Sequence, residues 1–544
     1  MKFSMLSKLL TVLAAISMQT ASCYNVESGL PHIIQGGMGI RISKWELARE
    51  VAKQGELGVV SGTVMDTVMV RELQNGDPEG SFRRALKTFP DQDMAQRIFD
   101  KYYIEGGKDT MKPYKNHPMW SIKPSQVLLE VCVLANYCEV WLAKHHDNGS
   151  PIQGPGKVGI NLLTKVQMPT VPTLFGAMLA DVDYVLMGAG IPMAIPGILD
   201  ELSESHDCHQ PINTVDHEGG AVMDFSPKLF WEAAGKPELG ELKLKRPEFL
   251  PIVSSVALAQ SMLKRASGKI NGFVVELPTA GGHNAPPRGF HYEAVAKTHA
   301  MALNERGEPV YGTKDAVDLK KFAKAVKGLP FWLAGSCADP CKLEAVLQVG
   351  GAGVQVGTAF SLCKESGLEK SVKKTILRQL AENQETDCVA VDVFTDPVGS
   401  PTGFPFKVLR LGETLSDETK YESRPRVCNL GYLRDIYTKE DGSLGYRCAS
   451  EPVDAYVKKG GDIEATQGRK CLCNALCANC GFPQVQEKSQ YVEDMLITIG
   501  NEVVSTVGSC RGSLVRLFNY LSQYPLAAFF LIQKENLWSI FETR

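Results

Sequence analysis

The sequence predicts an α/β protein built on a (β/α)8 TIM barrel, with insertions and an irregular C-terminal extension. Three observations carry this. Short apolar, β-branched runs alternate eight times with longer helical stretches between residues 31 and 385. Several runs stop at glycine, as at Gly36-Gly37, Gly188-Ala-Gly190, Gly335 and Gly357. From about residue 388 the alternation ends. An open doubly wound sheet is the competing architecture, but it does not naturally run to eight regular units.

Taken in order, His32–Gln35 is the first strand, followed by Gly36-Gly37-Met38-Gly39 and a helix over Lys44–Gln54. Leu57–Ser61 is the second strand. A long polar insertion, rich in glycine, proline and charge, spans roughly 66–124, and Gln126–Lys144 is helical. Lys157–Leu163 is the third strand, Val171–Ala180 a helix, Asp183–Met187 the fourth strand and Ile195–Ser203 a helix. A second polar insertion covers about 204–247. Phe249–Ser254 and Gly272–Leu277 are strands five and six, with a helix over Val256–Ala266 between them. Asp315–Lys327 is a helix, Leu329–Ala334 the seventh strand and Cys341–Val349 a helix. Ala352–Val356 is the eighth strand, followed by helix to about Glu385. The expected organisation is a 1–24 leader, a 30–386 barrel and a 387–544 cysteine-containing extension.

Composition bounds the function. The 544 residues are 44% hydrophobic and 22% charged, which is ordinary globular material. A net charge of −3 offers no general pull on nucleic acid or anionic membrane. Fifteen unevenly spread cysteines point to free thiols and a reducing, cytoplasmic setting. The N-terminus points the other way: a basic start, apolar Leu9–Met18 and small residues to Cys23 have the layout of an export signal. Both locations stay open. Leu514–Ile532 is apolar but interrupted by Arg516, Asn519, Gln523 and Pro525, so it reads as a docked helix rather than an integral membrane span.

The chemistry centres on Gly272–Gly289. A buried strand runs without charge to Glu276 and then breaks into Pro278, Gly281, Gly282, Pro286 and Pro287, with His283 inside the break. A titratable side chain on a glycine loop at the C-terminal end of a barrel strand stands where such barrels keep their active sites. Gly335 and Gly357 end strands seven and eight, 22 residues apart, where barrels commonly bind phosphate. Glycine lets main-chain N–H groups approach the anion, the next helix aims its N-terminus at it, and Ser336 and Thr358 add hydroxyls. Gly36, Gly37 and Met38 leave bare backbone suited to a flat aromatic ring, and Asn161 could bond that ring's edge. A flat heteroaromatic with a phosphate suggests FMN, with His283 over the ring as acid or base because an unperturbed imidazole titrates near neutrality.

Cys471, Cys473, Cys477 and Cys480 form a second candidate site. Their Cys-x-Cys start and helix-like apolar spacing favour buried or redox-active thiols over metal. His145-His146 and His206-Asp-Cys-His209 read as solvated surface.

Several motifs then coincide: Ile34–Gly39, Val158–Leu162, Ile252–Ala259, Ala280–His283, Leu333–Gly335 and Gly353–Phe360. As a set they resemble the nitronate monooxygenase family (formerly 2-nitropropane dioxygenases), over about residues 31–365. That family shares its architecture with FMN-containing enoyl-acyl carrier protein reductases and the trans-acting enoyl reductases of polyketide and fatty-acid synthases. The resemblance implies His283 as the catalytic residue. It implies Gly281, Gly335, Ser336, Gly357 and Thr358 at the FMN phosphate and ribityl chain, Gly36, Gly37 and Met38 against the ring, and Asn161 and Ser255 as further contacts. It implies oxidation of an alkyl nitronate by O2 to a carbonyl compound and nitrite. The alternatives are NAD(P)H-dependent enoyl reduction, with an acyl carrier protein or synthase partner, or a non-catalytic flavin-binding scaffold subunit. A homo-oligomer is expected in each case. Ser336 stands where the family usually has a second glycine, which requires negative φ there or strain. The insertion at 66–124 and the extension are larger than in the small nitronate enzymes and closer in size to the synthase-associated reductases.

Overall fold

Eight parallel strands close on themselves in the computed structural model of the chain, which describes residues 29–215, 220–289, 292–293, 298–299, 301–382 and 391–502. They are β1 (Ile33–Gln35), β2 (Leu57–Ser61), β3 (Lys157–Leu163), β4 (Tyr184–Gly188), β5 (Glu248–Val253), β6 (Phe273–Glu276), β7 (Phe331–Ala334) and β8 (Gly353–Val356). Each pairs with its neighbours in sequence, and β8 pairs with β1 in the register Ile34↔Gln355. This is the (β/α)8 barrel that the alternation predicts. The strands read as continuous apolar runs because both faces are covered: every residue of β2, β4 and β7 is buried.

The helices between the strands are α1 (Trp45–Lys53), α2 (Met65–Gln74), α3 (Ser81–Leu86), α4 (Gln92–Tyr102), α5 (Gln126–Lys144), α6 (Thr170–Leu179), α7 (Ile195–Ser203), α8 (Pro227–Ala233), α9 (Val256–Arg265), α10 (Leu319–Ala325), α11 (Pro340–Gln348), α12 (Thr358–Ser361) and α13 (Lys370–Glu382). Among the described residues, only α5 is long and apolar enough to cross a membrane by length and composition. It is a core helix, buried along most of its length and packed on α1, α2 and α6.

Three expectations need correction. The 66–124 insertion is not polar throughout. It holds α2, α3 and α4, and nine of the ten α2 residues are buried. Its buried charges find partners within the segment and in the extension: Asp66 accepts from Trp120 Nε1 at 2.8 Å and from the Tyr432 hydroxyl, and one Arg71 nitrogen donates to the Phe482 carbonyl at 2.6 Å. A count of polar residues therefore hides an interior face. The 204–247 segment holds an antiparallel hairpin, Cys208–Ile212 with Ala221–Phe225, and α8, whose Phe230 and Trp231 are buried. Finally, the helix after β8 is split. Only α12, four residues long, follows Gly357 directly, and α13 begins nine residues later.

The extension is less irregular than expected. Strands β9 (Asp392–Asp396) and β10 (Phe406–Arg410) pair antiparallel, and the free edge of β10 takes up Gly282–His283, with Phe406 opposite His283. The loop after β6 is thereby held by chain more than a hundred residues downstream. The proposed leader (1–24), the Leu514–Ile532 helix, Cys23, Cys388 and Cys510 lie outside the described residues.

Candidate active site

The site begins with one fully buried side chain. Gln35, the last residue of β1, donates from Nε2 to Ser43 Oγ at 2.8 Å and accepts from Val59 N at 3.0 Å. Ser43 Oγ donates to the Gly36 carbonyl and accepts from Met38 N, at 2.7 and 2.8 Å. The Gly36–Met38 backbone is therefore set before any ligand arrives. Asn161, on β3, adds a bond from Nδ2 to the Gly37 carbonyl at 2.7 Å. The approach is so close that a Cβ on Gly37 would lie 2.2 Å from Asn161 Cβ.

Gly36, Gly37, Met38 and Asn161 line a cavity of about 210 Å³ at the C-terminal ends of the strands. The cavity brings together Gly36, Gly37, Met38, Asn161, Gly281, His283, Gly335, Ser336, Gly357 and Thr358. Ser255 does not line it. Its hydroxyl accepts from Leu258 N and caps α9, the ordinary use of a serine before a helix, and this corrects its placement at the cofactor. Ser336 adopts φ 52°, so the strained alternative holds where a glycine would have been at ease.

Among the described residues at and beside the cavity, four buried side-chain atoms have no hydrogen-bond partner: Asn161 Oδ1, Gln355 Oε1, Ser336 Oγ and Thr279 Oγ1. Buried polar atoms are costly to leave unpaired, so the cluster calls for a polar ligand. Asn161 Oδ1 and Gln355 Oε1 accept only, which suits the N–H-bearing edge of a heteroaromatic ring.

His283 differs from expectation in its chemistry. Burial, with a smaller contribution from the Lys165 ammonium, pushes its imidazole down to about 3. Nε2 lies 2.7 Å from Ser400 Oγ and 3.3 Å from Thr402 Oγ1, and the ring packs edge-on to Phe406, centroids 4.7 Å apart. The side chain is a neutral hydrogen-bonding group at ordinary pH, not an imidazolium cycling near neutrality. The group that titrates there is Glu276, at the end of β6 and lining the same cavity, which burial alone pushes up to about 7. The sequence had shown it as the sole charge closing an apolar strand, and that isolation was the available signal.

Part of the wall comes from the extension. Phe406, Tyr432, Leu433, Cys473, Gly500 and Glu502 all line the cavity. Glu502 stands at the loops after β7 and β8: its carboxylate accepts from Ala338 N and from the main-chain N–H of Ala359. No local pattern around residue 502 announces this. Cys471, Cys477 and Cys480 are buried free thiols and Cys473 a half-buried one at the cavity wall, and burial raises each above the usual thiol range. Among the described residues no group of three His, Cys, Asp or Glu is placed to hold a metal. His206 and His209 make exposed pairs with Glu201 and Asp224, whereas His145 stacks on Trp141.

Residues 233–391, which carry β5 to β8, His283 and both glycine-ended loops, match the family model for nitronate monooxygenase. The chain is nitronate monooxygenase-like over this stretch. A probable nitronate monooxygenase of Staphylococcus haemolyticus is 33% identical over 95 residues, 18% of this chain and 25% of that protein. A second, of Staphylococcus saprophyticus, is 23% identical over 194 residues, 36% of this chain and 47% of that protein. The chain thus matches a quarter to about half the length of these relatives. The solved structure of FabK from Thermotoga maritima overlaps 91% of this chain and 94% of its own at 14% identity and a TM-score of 0.37. The fold assignment rests on the chain's own strand pairing.

Proposed function

We propose that the chain is an FMN-dependent oxidoreductase that oxidises an alkyl nitronate with O2 to a carbonyl compound and nitrite. The observation that carries this is the cluster of orphaned acceptors at the Gly36–Met38 backbone, inside a cavity that also holds His283 and Glu276. Gly36, Gly37, Met38, Asn161 and Gln355 would hold the ring, and Gly281, Gly335, Ser336, Gly357 and Thr358 the ribityl chain and phosphate. The ring end fits; near the phosphate end the Ala338 and Ala359 amides are already engaged by Glu502. FMN, when bound, supplies a two-electron acceptor and the site of reaction with O2.

The chain's own contribution is binding and charge control. His283, neutral and held against Ser400 and Thr402, offers a hydrogen bond to the nitro group without a proton cycle. Glu276 sets the electrostatics. A nitronate is an anion, so an ionised Glu276 in the same cavity opposes it, and the protonated carboxyl admits it. The family match over 233–391 favours the nitronate over the enoyl substrate.

The test is anaerobic mixing of the FMN-loaded protein with propyl nitronate or with NADPH, followed by nitrite assay in air. Nitronate should bleach the flavin and yield nitrite. Bleaching by NADPH alone would replace this reading with enoyl reduction. Above about pH 7, kcat/KM for the nitronate should fall by about tenfold per pH unit, and Glu276→Gln, which mimics the protonated carboxyl, should remove that fall. A profile flat through pH 7 in the unmodified protein would remove Glu276 from this role.

A further inference from the structure

Ala338 lies in the loop after β7 and Ala359 in the first turn of α12 after β8, the two places where the sequence predicts a phosphate. The main-chain N–H groups of both are engaged by the Glu502 carboxylate. The segment that carries it is fastened to the same two loops and to the loop after β6. Gly500 N donates to Thr358 Oγ1 at 2.9 Å, Asn501 N donates to the Thr279 carbonyl at 3.0 Å, and Lys407 Nζ reaches Asn501 Oδ1 at 2.6 Å. A Cβ on Gly500 would fall 2.8 Å from the Thr279 carbonyl oxygen and 3.2 Å from Gly281 N, so the segment lies directly on the glycine loop beside His283. Burial pushes the Glu502 carboxyl above its ordinary value, while the Ala338 and Ala359 amides and the Lys342 ammonium act against that rise and favour the carboxylate.

We propose that Glu502 is an internal occupant of the phosphate subsite, so that its carboxylate and the phosphate of FMN exclude each other. Two main-chain donors in a dry pocket select an anion, and two anions will not share them. Flavin then enters with its ring in place but gains nothing from its phosphate until the 498–502 segment withdraws. The identity of the displaced group rests on the flavin reading above, whereas the anion subsite rests on the geometry alone.

The test uses the full chain, unmodified and as Glu502→Ala and Glu502→Gln. The glutamine keeps the packing and a carbonyl acceptor but not the charge, and serves if the alanine form does not fold. Dissociation constants for FMN and riboflavin are measured by quenching of flavin fluorescence. In the unmodified protein the two should be nearly equal. In the variants FMN should tighten by about tenfold or more, the worth of a charge-assisted pair, while riboflavin stays unchanged. Inorganic phosphate should raise the melting temperature of the variants and not of the unmodified chain. A clear preference for FMN over riboflavin that is the same in all three proteins overturns the proposal, as does a phosphate effect equal in all three. If no form binds either flavin but phosphate still stabilises only the variants, the Glu502 assignment stands and the flavin reading falls.

Discussion

Replacing His283 by alanine is expected to lower kcat of the flavin-loaded protein by about 10²–10³-fold, the usual cost of one preorganised donor in a water-excluded site. The fold should survive. The Gly282–His283 backbone keeps its pairing with Phe406 and Lys407, and Ser400 Oγ keeps Thr402 Oγ1 at 2.7 Å when the imidazole is gone. The stability cost is therefore about 1 kcal/mol, that of a single hydrogen bond. Whichever ring nitrogen carries the proton, an imidazole held down to about 3 stays neutral from pH 5 to 9, so His283 adds no limb to the pH profile in that range. Steady-state turnover, flavin content by absorbance and the melting temperature check the three parts. Unchanged turnover at full flavin loading would remove His283 from the chemistry. A pH limb that disappears with the histidine would show that burial does not suppress its titration.

Gly353→Ala is expected to cost at least about 3 kcal/mol of stability, at the severe end for a single methyl. An added Cβ would sit 1.9 Å from the His32 carbonyl oxygen and 2.6 Å from its carbon. Those are backbone atoms, and no rotamer change relieves the overlap. The same carbonyl accepts from Val354 N at 2.9 Å, one of the bonds by which β8 closes on β1, so relief means opening the barrel seam. Chemical denaturation should show a lower midpoint at similar slope, or no soluble protein at all. A midpoint within 1 kcal/mol of the unmodified chain would mean the seam is looser than drawn.

Much of the barrel was legible along the chain because a strand covered on both faces has no choice but to be apolar. Leu57–Ser61, Tyr184–Gly188 and Phe331–Ala334 are such runs, and the glycines that end several of them mark their loops. The insertion at 66–124 was misread for the converse reason. Asp66, Arg71 and Asp77 are buried, with hydrogen bonds from Trp120, Tyr432 and the α3 backbone to the carboxylates and from Arg71 to the Phe482 carbonyl, partners partly supplied by residues hundreds of positions away. Ser255 was misplaced because a serine before a helix looks alike whether it caps the helix or greets a ligand.

Period, glycine placement and one histidine in a broken loop are properties of neighbouring residues, and they determined the barrel, the end of it that carries the cavity, and the residues gathered there. The charge state of His283, the titration of Glu276 near neutrality and the arrival of Glu502 at the Ala338 and Ala359 amides depend on what the extension covers. Burial and long-range electrostatics act through space rather than along the chain, so only the folded arrangement could decide them.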